Sequence, residues 1–442
     1  MLDESILGQA GLAVERIYED AAITAFGVAD AFKGSHDARP WPAWFRETVE
    51  RLTKLPGETF EPVWREPVTP SWFGMLAGKA AAANRGGADA IEALDRHIAQ
   101  FALFAEGFRQ AGADLPPTPE PVVFDRDVLI PGTTLVLPAG TPIGPSAELY
   151  EVDVAAWKQA RLRLAPEAID APWQPFAPVA NARGFKDGKG PAATASVTAM
   201  LQAIDRYLPE AFDRFAADIS VIGLLDSSDA DVYNASNSTY FGGFIVAAVG
   251  EPNELAAYAL HEHAHNLLFA IETVDPVLAG LQGDYEGPLI YSPWRHDLRP
   301  MRGLVHAVFV HLPVCAFWLS VLRDPDTEAL EAYARDQLTR FLIQTDVGLH
   351  IIDRQASLTE NGTKIMSAVK KEAARLRALA LDAGLDADRP GLVCYRGAFQ
   401  PEQRAGHPIT LRESLVAHAE AAGAPETAFA MVQQWPHRPA AT

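Results

Sequence analysis

Residues 260–270, Leu-His-Glu-His-Ala-His-Asn-Leu-Leu-Phe-Ala, constrain this chain more than any other stretch. Residues four apart share one face of an α-helix, so His261 and His265 can direct imidazole nitrogens at the same metal ion. Glu262 then lies beside the ion, where a carboxylate can act as general base on a metal-bound water. His263, two residues further on than His261, faces away and is interpreted as a packing or supporting residue.

Apolar residues flank this motif at helical spacing and predict a buried helix. Glu262 is the one acidic or basic side chain between Glu254 and Glu272, apart from the histidines. The apolar positions are Leu255, Ala256, Ala259, Leu260, Leu267, Leu268 and Ile271.

The composition is that of a globular protein with a large core and an acidic surface. The chain has 442 residues, 48% of them hydrophobic, and a formal net charge of −20. That charge opposes binding to nucleic acid or to an anionic membrane. Cys315 and Cys394 are far apart in the sequence, so neither a disulfide framework nor a cysteine metal site is predicted.

The first residues, Met-Leu-Asp-Glu-Ser, are acidic and do not resemble a signal peptide. We also expect no apolar run long enough to span a membrane. A cytoplasmic location is predicted.

The pattern of elements predicts an α+β fold, mostly helical, with the metal site on a central HExxH helix and a small antiparallel sheet packed nearby. Three consecutive regions are predicted: 1–115, helical and aromatic-rich; 122–190, β-rich and ending in a flexible glycine turn at 184–190; and 191–442, the metal-binding catalytic region with C-terminal helices. A strand at about 243–249, directly before the metal helix, could offer an edge to an extended peptide.

A catalytic metal needs a third protein ligand besides two histidines, with positions left open for substrate or water. Glu272 and Glu286 are the nearest carboxylates downstream, and a glutamate is what a zinc peptidase of this type would use. His306, near the start of an apolar helix, is the alternative. Leu268 and Ile271 replace the glycine and histidine of the longer metzincin motif, so that class is excluded.

Residues 291–303 contain three arginines and two aromatic residues directly before that apolar helix. Arginines close to a metal form a site for a carboxylate, which guanidinium groups bind in a bidentate manner. An iron enzyme that uses 2-oxoglutarate needs such a partner for the distal carboxylate of the keto acid, whereas a peptidase does not. Surface salt bridges are the alternative interpretation for each of Arg295, Arg299 and Arg302.

Three segments together resemble a known family: residues 261–268 (HEHAHNLL), 291–300 (YSPWRHDLRP) and 303–306 (GLVH). They resemble the HExxH-type peptide modification proteins of ribosomally made peptide pathways, which look like iron(II)- and 2-oxoglutarate-dependent peptide β-hydroxylases. The resemblance implies His261, His265 and His306 as iron ligands. It also implies that Arg295, and then Arg299, hold 2-oxoglutarate.

The leading hypothesis is therefore a cytoplasmic Fe(II)/2-oxoglutarate-dependent oxygenase that uses O2 to hydroxylate a side-chain β-carbon of a precursor peptide. Glu262 would then support a ligand or a water, or bind the metal itself. The alternative is a zinc metallopeptidase with Glu262 as general base. A third hypothesis is a binding protein in which the metal is structural.

Overall fold

The structure is a computed structural model, and its described residues form two compact units. The described residues are 4–34, 39–124, 127–166, 190–225, 234–238, 240–247, 251–280, 287–295, 297–388, 392–395, 398–401, 403–404, 407–408, 410–421, 423–424, 426 and 430. Unit 1 comprises Met1–Gly11, Met200–Phe215 and Gly250–Thr442, and unit 2 comprises Leu12–Ala199 and Ala216–Val249. Both units are discontinuous, whereas the sequence-based division into 1–115, 122–190 and 191–442 follows chain order.

Most described residues are helical, which confirms the mostly helical α+β class. The helices are α1 Glu4–Gly34, α2 Pro40–Leu52, α3 Gly57–Trp64, α4 Thr69–Asn84, α5 Ala88–Gln100, α6 Ala102–Gln110, α7 Gly190–Tyr207, α8 Pro209–Asp218, α9 Pro252–Val274, α10 Met301–Arg323, α11 Glu328–Gln355, α12 Glu360–Asp382 and α13 Leu411–Ala421, with a short 3-10 turn at Pro325–Thr327.

The strands form several small sheets. They are β1 Val128–Leu129, β2 Leu135–Leu137, β3 Tyr150–Glu151, β4 Val154–Trp157, β5 Ala160–Pro166, β6 Val221–Leu225, β7 Asn234–Ala235, β8 Gly243–Ala247, β9 Leu289–Ile290, β10 Arg299–Pro300, β11 Leu392–Tyr395, β12 Ala398–Pro401, β13 Gln403–Arg404 and β14 His407–Pro408.

Unit 2 contains the predicted antiparallel sheet and a second, mixed sheet. Strands β1, β2 and β3 pair in that order and are antiparallel. The mixed sheet has the order β4-β5-β6-β8-β7, with parallel pairs β5–β6 and β6–β8. Strand β8 confirms the strand predicted before the metal helix, but β7 covers Ile245 and Val246 on the side away from β6. The predicted free edge for a peptide is therefore wrong along these residues.

Aromatic side chains fill the helical part of unit 2, as the sequence predicts. Trp72 is fully buried, and its ring stacks on His97 at a centroid distance of 4.6 Å and on Phe101 at 5.2 Å. Phe101 follows α5 and precedes α6, so the chain between Ala88 and Gln110 forms two helices.

A buried ion pair joins the helical part of unit 2 to its mixed sheet. Arg163 of β5 makes two hydrogen bonds to the carboxylate of Glu66, at 2.6 and 3.1 Å. The backbone N–H of Gly132 donates to the same carboxylate at 2.7 Å. Charges this deeply buried are tolerated when they are paired and hydrogen-bonded, as both are here.

Unit 1 is built around α10, which packs against α9, α11 and α12. The helix is long and apolar enough to span a membrane by length and composition, with a mean hydropathy of 1.9 over an 18-residue window. The expectation that the chain has no such run is thus wrong, since residues 304–322 contain no Asp, Glu, Lys or Arg. However, 89% of that window is buried inside the fold, as in the core helix of a globular protein.

Helix α12 begins at a side-chain cap in the Leu-Thr-x-x-Gly segment. The Thr359 hydroxyl accepts a hydrogen bond from the Gly362 N–H at 2.8 Å. A Cβ on Gly362 would overlap the carbonyl oxygen of Val277, so only glycine allows the chain that follows α9 to pass this close. The glycine turn predicted at 184–190 lies, up to residue 189, outside the described residues.

Candidate metal centre

The HEHAH segment lies in the middle of α9, with at least two helical turns on either side. Pro252 is the first helical residue, where its fixed φ and missing N–H favour a helix start. His261 and His265 are partly exposed, whereas Glu262 is buried with a relative exposure of 2%. Glu262 lies beside the pair, its Oε1 being 4.0 Å from His261 Nε2.

Helix α10 adds two more imidazoles, so that four rings form a row across α9 and α10. Ring centroids are 5.2 Å apart for His306 and His265, 4.9 Å for His265 and His261, and 4.8 Å for His261 and His311. The structure thus brings the three predicted histidines together. His311 was not predicted.

Both ring nitrogens of His306 have protein partners. Its Nδ1 is 3.0 Å from His265 Nδ1, and its Nε2 is 2.9 Å from Glu272 Oε2. Because a carboxylate only accepts, His306 Nε2 donates its proton to Glu272. Its Nδ1 faces His265 Nδ1, so one of these two nitrogens donates to the other.

Glu272 also pairs with Arg302, whose Nε and Nη2 lie 2.8 and 2.7 Å from the same carboxylate oxygen. Burial alone would raise the pKa of Glu272, but the hydrogen bonds and charges of His306 and Arg302 outweigh it and lower the pKa. Glu272 is therefore an ionised partner of these two side chains. The other predicted carboxylate ligand, Glu286, lies outside the described residues.

His311 is held between aromatic rings and a backbone carbonyl. Its Nδ1 donates to the Ala307 carbonyl at 2.7 Å, so the neutral ring keeps a lone pair on Nε2. Trp294 stacks on the ring at 4.9 Å with an interplanar angle of 24°, and Phe341 contacts it at 4.8 Å. A lone histidine in an apolar helix is usually a core residue, and the sequence pattern does not distinguish His311 from one.

Burial favours the neutral form of three imidazoles in this row, those of His261, His265 and His311. Desolvation lowers the pKa of His261 and His265 well below the ordinary value, and charge on the neighbouring histidines lowers it further. Burial also lowers the pKa of His311, to about 4. Neutral imidazole is the form that binds metal. As the rings stand, no group of three or more His, Cys, Asp or Glu side chains within the described ranges is arranged to hold an ion.

The three arginines of residues 291–303, here called the arginine loop, lie in two environments. Arg295 and Arg299 both pair with Asp297, at 3.4 and 2.9 Å, in a partly exposed cluster. Arg302 instead reaches Glu272 at the end of the histidine row. The short β9–β10 ladder closes the base of the loop, with Arg299 opposite Ile290.

His263 lies apart from the row, as predicted. Its ring meets Phe215 edge-on at a centroid distance of 5.4 Å and lines an apolar cavity with Leu7 and Leu208. The residue has a packing role in α9 and offers a matched control for the other histidines of the motif.

No family model matches this chain, and a comparison with curated proteins gives no match. The resemblance to HExxH-type peptide modification proteins therefore stays a prediction.

Proposed function

We propose that this protein is an iron(II)- and 2-oxoglutarate-dependent oxygenase that hydroxylates a side-chain β-carbon of a ribosomally made peptide. His261 and His265 hold the metal. The observation that carries the proposal is the pair of adjacent imidazoles one helical turn apart on α9, whose pKa values burial lowers, with His265 linked through His306 to Glu272.

The side chains fit iron(II) in their donor chemistry. Imidazole nitrogen suits iron as well as zinc, and each metal-bound histidine is normally oriented by a hydrogen bond at its other nitrogen. His265 has that second bond, to His306. Bound iron with 2-oxoglutarate supplies the oxidant for a C–H bond: O2 and the keto acid yield succinate, CO2 and the hydroxylated peptide.

The protein's own residues bind and orient the reactants. Arg295 and Arg299 are the proposed partners of the distal carboxylate of 2-oxoglutarate. To bind it, they have to break their ion pairs with Asp297. Removing Asp297 is therefore expected to strengthen 2-oxoglutarate binding. Glu262, buried beside His261, supports that ring or a water next to it.

Two polar groups near the row favour a peptide as substrate. Trp294 Nε1 and Gln344 Oε1 are buried and have no hydrogen-bond partner in the described part of the chain. Gln344 Nε2 donates to the Pro293 carbonyl at 2.8 Å, which places Gln344 beside the residue that precedes Trp294. One donor and one acceptor are what a peptide group requires.

The zinc peptidase alternative is less well supported. It needs a glutamate as third ligand, and Glu272 is already bound to Arg302 and His306. Its proposed peptide-binding strand, β8, is paired on both sides.

Anaerobic addition of iron(II) and 2-oxoglutarate tests the proposal. We expect a weak visible charge-transfer band, absent in His261→Ala and His265→Ala and retained in the packing control His263→Phe. Exposure to O2 should then release succinate, and a co-expressed precursor peptide should gain one oxygen by mass spectrometry. Absence of the band, together with peptide cleavage by zinc-loaded protein that Glu262→Gln abolishes, would establish the peptidase instead.

A further inference from the structure

We propose that the apolar cavity beside α9 binds a small uncharged molecule, and that dioxygen is the molecule it takes up in the reaction. The assignment of dioxygen rests on the proposed oxygenase function. The binding of a small apolar molecule depends on the fold of unit 1 alone, and it can be tested without iron or 2-oxoglutarate.

The cavity lies inside unit 1 and is lined by residues of α1, α8, α9 and α10 and of the turn before α8. Among the nine described side chains that line it, two have polar atoms, Arg214 and His263, and the other seven are leucine, alanine or proline. Pro313 of α10 also lacks a backbone N–H, so it offers no hydrogen-bond donor to the cavity. The lining therefore favours an apolar occupant.

The volume of the cavity suits a molecule of two or three heavy atoms. It measures about 40 Å³, roughly three times the ~10–15 Å³ that a single water molecule requires. Water is a poor occupant, because an ordered water needs about two to four hydrogen-bond partners and most of this lining is hydrocarbon. Apolar cavities stay dry and take up apolar guests such as xenon instead.

The reactants of the proposed reaction differ in how they match this cavity. Dioxygen is uncharged, apolar and diatomic. 2-Oxoglutarate carries two carboxylates, which an apolar lining does not solvate. A peptide is far larger than 40 Å³. Dioxygen is therefore the reactant whose chemistry and size fit.

The cavity and the proposed metal ligands share α9 but occupy different faces of it. Leu260, Ala264 and Leu267 line the cavity at positions i, i+4 and i+7, which lie on one face of a helix. His261 and His265 each follow one of these residues, so their side chains project about 100° further around the helix. Dioxygen held in the cavity is thus about one helix diameter, roughly 10 Å, from the histidine pair.

The α1 and α8 side of the cavity is the side from which a small molecule can enter. Leu7, Ala211 and Arg214 are half-buried, whereas the lining residues of α9 and α10 are buried. The Arg214 guanidinium lies against α1, because a Cβ on Gly11 would be 3.3 Å from its Nη1. Ala211 has only a methyl group here, so a longer side chain at this position would fill the cavity without any change in α9.

Xenon binding to the metal-free full chain, followed by methyl NMR shifts under xenon pressure, tests the cavity. The wild type should show saturable shifts for Leu260 and Leu267, and Ala211→Leu should lose them. Ala217→Leu makes the same change at an exposed position of α8 that does not line the cavity, and it should retain them. Leu7→Phe fills the cavity from α1 and repeats the test if thermal melts show that Ala211→Leu does not fold. Absence of saturable shifts in the wild type, or equal shifts in a folded filling variant, would overturn the site.

Succinate formation by the iron-loaded protein at varied dioxygen concentration tests the occupant. Ala211→Leu should raise the KM for dioxygen by about threefold or more, with kcat and the KM for 2-oxoglutarate unchanged, and Ala217→Leu should match the wild type. An unchanged KM for dioxygen in a variant that no longer binds xenon would overturn the assignment of dioxygen while leaving the oxygenase intact. Xenon binding by a wild type that forms no succinate would instead overturn the oxygenase and leave the apolar site.

Discussion

The carboxylate of Glu272 and the ring of His265 are joined through one imidazole, His306, by hydrogen bonds of 2.9 and 3.0 Å. A carboxylate on α9 is thereby linked to a second residue of the same helix by way of α10. The row of histidines is consequently sensitive to a group that need not touch the metal.

Glu272→Gln is expected to weaken cobalt(II) or iron(II) binding by about 10- to 100-fold, the usual effect of removing an outer partner of a metal-bound histidine. The amide removes the charge that holds the His306 proton on Nε2. Calorimetric metal titration measures the effect. Glu331→Gln, which breaks an exposed ion pair with Arg335, is the control and should bind metal normally. If Glu272→Gln binds metal with unchanged affinity, Glu272 does not influence the metal site.

Trp294→Phe is expected to raise the KM for the peptide while leaving cobalt affinity within about threefold of the wild type. Phenylalanine keeps an aromatic face on His311 but removes the buried indole N–H, which has no partner among the described residues. Steady-state succinate formation at varied peptide concentration measures it. If KM is unchanged, the indole does not contact the peptide.

Gly362→Ala should lower the free energy of unfolding by at least about 2 kcal/mol, because the new methyl group overlaps the Val277 carbonyl and forces α12 to move. Gly8→Ala is the matched control, since a Cβ at that helical position meets nothing within 4 Å. It should leave stability unchanged or raise it by up to about 1 kcal/mol. Urea unfolding compares the two. Equal stabilities would show that the close approach is not maintained in solution.

Unit 2 should lose stability as the pH falls, because burial lowers the pKa of His97 to about 4. In the unfolded chain the pKa of His97 is near 6.5, so the imidazole binds a proton at pH values at which it stays neutral in the folded protein. The stabilisation is therefore complete above about pH 6.5, and about 2 kcal/mol of it is lost between pH 7 and pH 5. His97→Gln keeps a donor for the Trp72 carbonyl and should remove that part of the slope. Urea unfolding at pH 7 and pH 5 measures the loss of stability in the wild type and in the variant. An equal loss in both proteins would contradict the prediction.

Local patterns allowed much of the fold to be predicted. The spacing of His261 and His265 within an apolar flank predicted a helix with both rings on one face, and α9 confirms it. The small antiparallel sheet predicted within the β-rich region is formed by β1, β2 and β3. Each of these features depends on residues near one another in the chain.

The missed features depend on distant residues. His311 joins the row only because α10 packs beside α9, and its apolar neighbours make it look like a core histidine. The pairing of β7 with β8 follows from strand order, which spacing does not encode. The sequence does not distinguish Arg302 from Arg295 and Arg299. In the structure, however, Arg295 and Arg299 pair with Asp297, whereas Arg302 pairs with Glu272 of α9.

Unit 1 combines residues from distant parts of the sequence, which affects the order in which its contacts form during synthesis. Gln9 donates a 2.6 Å hydrogen bond to Asn361, which follows it by 352 residues, and Asn361 in turn donates to the Asp275 carbonyl after α9. During synthesis Gln9 therefore cannot form this bond until α12 has been made. Removing the first turns of α1 should therefore destabilise the contact of Asn361 with the residues after α9.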